Sequence, residues 1–519
     1  MKVYLVALVI VVVAAAADAA GGTVTTTLCV GAKTGCYATI QEAVDAAQDG
    51  DTIVVRPGTY DGGITIDRSL RLKGAGAGAT VVDGGGPVLT IGVAGADAEP
   101  TVSISGLTIT GGLNTAPVLD GYVHGGGVWV PPSSGGLGAT VTIADSVVTG
   151  NRAAPASVIS GCGDHPFAGA SGGGIDNDGT MTLDDVQVTD NAAGSEVTSD
   201  ADGGGVMNER FASLTIRDSV VRGNVARVTA PNGRFAAGGG VFTRLGSTLA
   251  IEDSVVDANT VDYTTAVGSD DPCSGIGQAG GIKIGGDDST KVTIRDSAIT
   301  RNSVVASGSG VDVIAFAGGI DDDGTLTLSD STVSENRVTA TGASDVVVDG
   351  GAIEVEGPAA IARTLITQNR VSAAAQAGTA SAHSGGLDAV ADQGVVITDS
   401  VVSRNVARST AYAGDATVEG SGILNGGTLE LRRVSVRDNS GRASGPSGFA
   451  HGGGIWNGVV PDGPPVQLTL RDSSVTHNTL TASDGLDTHG GGLYTTEPVT
   501  LRNTPIKHNV PDDCFGCST

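Results

Sequence analysis

Large rings are nearly absent from this 519-residue chain: Phe, Tyr and Trp together make up 3% of it. That scarcity excludes a globular core built on aromatic side chains, so Val, Ile, Leu and Ala must fill the interior. Basic residues are scarce too, with 29 Lys and Arg against 56 Asp and Glu and a formal charge of -27. Such a balance repels nucleic acid and anionic membranes, and it suits solubility or cation binding. Long apolar runs are missing after the first residues. The stretch from Val3 to Ala17 is shorter than the ~20 residues of a membrane span. Preceded by Met1-Lys2 and followed by Asp18-Ala19, it reads as a secretory signal peptide cleaved near Ala19. The expectation is an exported chain, secreted or held at the cell surface, with no transmembrane segment in its mature part.

What the chain has in abundance is glycine, 82 residues of it, and the glycine is periodic. Gly-Gly-Gly or a near copy returns about every 35 residues, followed by an aliphatic residue, a short Thr/Leu run and then Asp-Ser-x-Val-x-x-Asn. The closing Asn falls at Asn151, Asn191, Asn224, Asn259, Asn302, Asn336, Asn369, Asn405, Asn439, Asn478 and Asn509. Ten intervals over 358 residues give a mean near 36, the range of solenoids and arrays. The length therefore counts coils, each touching mainly its neighbours. In the unit beginning at Gly172, Gly174-Ile175-Asp176, Thr180-Met181-Thr182-Leu183 and Val186-Gln187-Val188 read as three strands separated by turns at Asn177-Asp178-Gly179 and Asp184-Asp185. This predicts an all-β parallel β-helix of roughly a dozen coils, with variable loops after each Asn along one edge. The repeated Asn is explained as an internal amide ladder, because identical polar side chains buried at a turn need one another as partners.

Ahead of the repeat, Thr39 and Glu42 have capping-box spacing, and Ile40, Ala43, Val44 and Ala47 form one apolar face. A short amphipathic helix there would close the open end of the stack. The expected organisation is a signal peptide over 1–19, an N-terminal cap over 20–50, irregular coils over 51–112, regular coils over 113–510 and a Cys-containing tail over 511–519. Six cysteines in an exported chain suggest disulfides. Cys29 with Cys36 and Cys514 with Cys517 are expected as local pairs, since zinc would need further ligands at a recognisable spacing. Cys162 and Cys273 share a phase of the repeat three coils apart, and a staple between their loops is one option.

The segment from Cys36-Tyr37-Ala38-Thr39-Ile40-Gln41-Glu42 through Val54-Val55-Arg56-Pro57-Gly58-Thr59-Tyr60 resembles the start of bacterial right-handed parallel β-helix proteins with a pectin-lyase-like fold. The Gly-Gly-Gly-Ile-x-Asn-x-Gly units with Asp-Ser-x-Val-x-x-Asn are similar to polymorphic outer-membrane protein repeats. The resemblance implies the fold; that fold carries lyases, hydrolases, esterases, adhesins and proteins without chemistry. The signature segments of pectin methylesterases and the ordered motifs of polygalacturonases are not found. Gly169-Ala170-Ser171-Gly172-Gly173 matches a nucleophile elbow by pattern but lacks the strand-to-helix context.

Two columns of residues merit attention. Aligning units on the aliphatic residue places Trp129, Asp176, Met207, Phe242, Lys283, Asp321, Glu354, Asp388, Leu424, Trp456 and Tyr494 in one outward file. Trp129, Phe242, Trp456 and Tyr494 are then candidates for stacking sugar rings, the alternative being that they pack beneath neighbouring loops. Lys283, Asp321, Glu354 and Asp388 lie on four successive coils, where close carboxylates raise a pKa or recruit a cation such as calcium. In pectate-lyase-like enzymes a comparable surface holds calcium carboxylates and a basic residue, so these four would be the catalytic candidates. A second file, just before the glycines, contains Asp349, His383, Glu419, His451 and His489 on five consecutive coils, a candidate transition-metal or proton-sensing set. The reading led by the sequence is a secreted, noncatalytic protein binding a polysaccharide or another cell-surface component. Its alternatives are a calcium-assisted polysaccharide lyase or glycoside hydrolase, and a passive adhesive rod.

Overall fold

The structure, a computed structural model, describes residues 25–517 except 98, 119–120, 158–168, 230–232, 266–275, 310–311 and 461–462. The leader reading, and the pairing of Cys162 with Cys273, fall outside the described residues.

The repeat winds into a parallel β-solenoid of about 12 turns. In one turn, Ile320–Asp322 lies in a 14-stranded front sheet, while Thr325–Ser329 and Thr332–Ser334 lie in a 27-stranded sheet that wraps the back. These three strands enclose the main core, in which Ile320, Leu326, Leu328 and Val333 are at most 1% exposed. Each sits over its counterpart one turn on: Ile320 over Ile353, Leu328 over Ile361, Val333 over Ile366. Alternation along Thr-Leu-Thr-Leu thus stacks aliphatic side chains inward, with no need for large rings.

The Asp-Ser pair makes the corner between the two back strands. Asp330 adopts φ 52 there, and Asp218, Asp253, Asp296, Asp399 and Asp472 lie between 48 and 52. Asp tolerates this left-handed conformation better than most residues. The following Ser331 donates its hydroxyl to the Ser329 carbonyl at 2.6 Å and accepts the Ser297 N–H at 3.1 Å.

The asparagine ladder is complete from Asn151 to Asn509. Each Nδ2 donates to the Oδ1 of the next Asn at 2.9–3.0 Å, in ten successive links. The backbone N–H of the earlier Asn donates to the same oxygen, as Asn302 does to Asn336 at 2.9 Å.

The segment after each Asn is where the structure departs from a simple edge loop. It contains two further strands, such as Arg337–Gly342 and Val346–Asp349, which build two 11-stranded parallel sheets. These sheets face one another across a second, thinner core of Val338, Ala340, Val346 and Val348 and their equivalents. From Leu113 onward each regular turn therefore carries a two-layered fin. Small Ala and Val residues let the two layers approach closely, and the first fin strand lengthens from two residues at Arg152–Ala153 to six at Arg337–Gly342.

At the first end, Thr39 caps helix α1 (Ile40–Ala46): its hydroxyl accepts the Glu42 N–H at 3.1 Å, and the Glu42 carboxylate accepts the Thr39 N–H at 3.1 Å. Ile40, Ala43 and Val44 are buried against the main core. Disulfides join Cys29 to Cys36 and Cys514 to Cys517. Among the described residues no helix is long and apolar enough to cross a membrane.

Candidate functional site

Where a fin returns to the front sheet, the chain turns through a tight crease at the glycine run. The first residue of the crease is left-handed in every regular turn: φ is 57 at Gly350, 58 at Gly420 and 69 at Gly452. Where the run is shortened, Ala279, Ala317 and Ser384 take the position at φ 52, 42 and 40. Added to Gly350, a Cβ would lie 2.9 Å from the Glu354 Cβ, so the crease closes tightly over the front strand. The inner fin sheet is thereby folded down onto the outward face of the front sheet.

Both sequence files survive as registered columns. Trp129 pairs with Asp176, Lys283 with Asp321, Asp321 with Glu354, Glu354 with Asp388, and Trp456 with Tyr494. His383 pairs with Glu419, Glu419 with His451, and His451 with His489. Because of the crease, the two columns face each other and line one groove that runs along the solenoid.

Of the two readings of the aromatic column, packing beneath neighbouring segments describes Phe242 and Trp456. Phe242 and Trp456 are only 6% and 7% exposed, and Trp129 and Tyr494 are half-buried. Phe242 packs with Met207, Ala237 and Phe235, and Trp129 stacks on His124 at 5.7 Å between ring centroids. The fin covers the faces that a bare sheet would have left open. At the far end, His451, Tyr494 and Phe515 form a stack, with centroids 4.2 and 5.2 Å apart and planes within 6°.

The middle of the groove is polar and buried. Lys283 is buried and donates from Nζ to Asp321 Oδ1 and Asp323 Oδ1, each at 2.8 Å. Burial pushes the Asp321 carboxyl up to about 6 even against the pull of Lys283. On the next two turns, burial and the charges of Asp321, Asp349 and Asp388 hold Glu354 well above the usual carboxylate range, and burial with Asp349 does the same to Asp388. Three carboxylate oxygens here, Asp321 Oδ2, Glu354 Oε2 and Asp388 Oδ1, are buried without a hydrogen-bond partner. Burial lowers His383, but Asp349 beside its Nδ1 at 2.6 Å outweighs that and lifts it to about 10; its Nε2 lies 3.4 Å from Glu419. A cavity of about 350 Å³ opens here, lined by Asp349, Glu354, His383, Asp388, Glu419 and Trp456 among others.

The catalytic and metal candidates of the sequence thus meet in part. Asp349, His383 and Glu419 join Glu354 and Asp388 around one cavity, with Lys283 and Asp321 alongside. His451 and His489 belong elsewhere, both bound to Asp487 at 3.1 and 2.9 Å within the aromatic stack. Sequence reasoning missed Asp323 and Glu356, two positions beyond the column residues Asp321 and Glu354 and just past the ends of the front strands Ile320–Asp322 and Ile353–Val355. Their place at the turn after each front strand, in the same phase of the repeat, is the signal that could have found them. The unpartnered oxygens on successive turns suit a hard cation such as calcium, which takes oxygen ligands.

The raised pKa values set a direction for stability. A carboxyl whose pKa rises on folding loses stability as pH climbs from its unfolded value to its folded one. Glu354, Asp388 and Asp322, the last pushed up to about 7 by burial, all act this way. His383, raised to about 10, contributes fully below its unfolded value and loses that contribution as pH rises towards 10. Asp330 and Asp399, held low by Arg363 and Arg433, contribute only above the usual carboxylate range. Melting temperature is therefore expected to peak near pH ~5 and to fall steadily towards pH ~9. Thermal scans across that range check it; a flat profile would contradict the buried charges.

No protein-family model and no curated protein matches the chain. Among solved structures it is similar to the periplasmic alginate epimerase AlgG, at 11% identity over 88% of this chain and 76% of that one, with a TM-score of 0.32. It is also similar to the A-modules of two Azotobacter vinelandii mannuronan C-5 epimerases. For AlgE6 the identity is 15%, the coverage 90% and 93%, and the TM-score 0.27. For AlgE4 they are 13%, 92% and 95%, and 0.27. At these values no residue role is carried across.

Proposed function

We propose that this chain binds a polysaccharide along the groove and acts on it by proton transfer at the acidic centre. The observation that carries the reading is the pair Glu354 and Asp388: buried carboxyls on adjacent turns, each with an unpartnered oxygen, beside a cavity that also holds a charged imidazole. Buried ionisable groups with displaced pKa values in a cleft are the ordinary signature of acid–base chemistry. Glu354, whose carboxyl is held well above the usual carboxylate range by burial and by the charges of Asp321, Asp349 and Asp388, serves as the general acid. Asp388 shares the cavity as its partner carboxyl, and His383 supplies positive charge. Strand pairing sets the backbones of Glu354 and Asp388 side by side at about 4.8 Å, so that both side chains reach the same cavity. The surplus of acid over base favours a neutral or amino-sugar polymer, or a uronate polymer only with a bridging cation such as calcium.

The test is release of new reducing ends, or of unsaturated products, from neutral, amino-sugar and acidic polysaccharides by the purified chain, with calcium and with chelator. Turnover of any of them supports the reading. Saturable binding without turnover would leave the second reading, recognition of a glycan without chemistry, which the His451, Tyr494 and Phe515 stack favours as a place for a sugar ring. Neither binding nor turnover would leave a passive rod.

A further inference from the structure

A second polar cluster lies in the same groove several turns before the acidic centre, separated from it by Met207 and Phe242. His124 ends the fin strand Tyr122–His124, Asp176 is central in the front strand Ile175–Asn177, and Glu209 follows the front strand Val206–Asn208 one turn on. All three are buried, at 7%, 0% and 6% exposure. One donor atom from each lies within 4.8 Å of the others.

Two observations say that this cluster is short of a cation. Asp176 Oδ2 meets His124 Nδ1 at 3.0 Å, but Asp176 Oδ1 is buried with no hydrogen-bond partner. A bare carboxylate oxygen in the interior is costly unless something comes to meet it. The local charge is also unbalanced. Glu209 Oε2 accepts from Arg244 Nη1 at 3.2 Å and Oε1 from the Ser171 hydroxyl at 3.3 Å, while the other arm of Arg244 is taken by Asp202 at 2.5 Å. Among the described residues, the carboxyls of Asp176, Asp178, Glu209 and Asp202 stand against two cationic groups, Arg244 and His124. The imidazole is oriented from behind by the stacked Trp129 ring.

We infer that His124, Asp176 and Glu209 form a binding site for a divalent first-row cation of the zinc or manganese type. One imidazole nitrogen with two carboxylate oxygens is a mixed donor set that suits these ions better than calcium, which takes oxygen alone. Ligand atoms about 2.1 Å from zinc stand roughly 3.4 Å from one another, so closing the set needs side-chain shifts within the present spread. The site is independent of the proposed proton-transfer centre and holds whether or not that centre turns over a glycan.

The experiment is calorimetric titration of chelator-treated chain with Zn²⁺ and with Mn²⁺, repeated on Asp176→Asn, Glu209→Gln and Glu354→Gln. The wild type should take up one equivalent that survives Glu354→Gln and weakens at least tenfold in both Asp176→Asn and Glu209→Gln. Circular dichroism establishes that each variant is folded, and either of the two near-isosteric changes alone suffices if the other is not. No uptake by the wild type, or uptake unaffected in the folded variants, overturns the site. Loss of the equivalent in Glu354→Gln with retention in Asp176→Asn also overturns it, by moving the cation to the acidic centre.

Discussion

Glu354→Gln is expected to lower turnover by about 10²-fold or more while making the folded chain more stable at pH 8. Both effects have one origin. The Glu354 side chain is enclosed between Asp321 and Asp388 of the adjoining turns, and burial joined by those charges keeps its proton on. A buried carboxyl that stays protonated at neutral pH can hand its proton to a leaving oxygen, and an amide of the same shape cannot. Between the unfolded and folded pKa values the native state binds a proton that the unfolded chain has released, so raising the pH draws the chain towards unfolding. Gln removes that linkage. The variant's melting temperature should therefore fall less between pH ~5 and pH ~9 than the wild type's, and the two curves should separate most at the alkaline end. Loss of activity with an unchanged pH profile would mean that Glu354 is ionised at neutral pH and is not the acid. Unchanged activity with the altered profile would remove Glu354 from the chemistry and leave it as a buried carboxyl.

The second large effect concerns the ladder. Asn336→Ala should destabilise the solenoid by on the order of 5 kcal/mol and lower the urea midpoint accordingly. Asn336 Oδ1 accepts both the backbone N–H and the Nδ2 of Asn302, at 2.9 and 3.0 Å, and its own Nδ2 serves the Ile299 carbonyl and Asn369 Oδ1 at 2.9 and 3.0 Å. Alanine breaks four hydrogen bonds; Asn369 Oδ1 keeps the residue-336 N–H and Asn302 Nδ2 keeps the Val256 carbonyl, and each buried group left short costs roughly 1–3 kcal/mol. Asn336→Asp separates bonding from volume. The carboxylate keeps the shape and the acceptor, yet turns an oxygen towards the two oxygens that Nδ2 had served, so its penalty should grow above the carboxylate pKa and shrink in acid. Because the turns communicate mainly with neighbours, loss should be greatest in amide protection within one or two turns of residue 336. Uniform loss along the rod would argue that the chain melts as one unit.

Much of this architecture was legible in the chain. The period near 36, the alternation in Thr-Leu-Thr-Leu, the Asp-Ser corner and the closing Asn each repeat a contact made between a residue and its own counterpart one turn away. Such contacts depend on phase alone, so a one-dimensional pattern is enough to reveal them, and for the same reason the front column from Trp129 to Tyr494 was placed correctly residue by residue. What the sequence could not determine was what covered that column. The stretch Arg337-Val338-Thr339-Ala340 carries a strand's alternation, but it is short, its apolar residues are small, and its partner Val346–Asp349 lies beyond a turn of variable length. Whether such segments stay loops or pair into a fin depends on many weak Ala and Val contacts formed together. The direction in which the fin folds depends on one left-handed residue at each crease, held by Ala279, Ala317 or Ser384 as well as by glycine. Only the tertiary structure settles these, and with them the burial of Trp456, the meeting of His383 with Glu354 and Asp388, and the closeness of His124 to Asp176. Contacts between different phases of the repeat leave no period to read, and the two columns meet across the groove through such contacts.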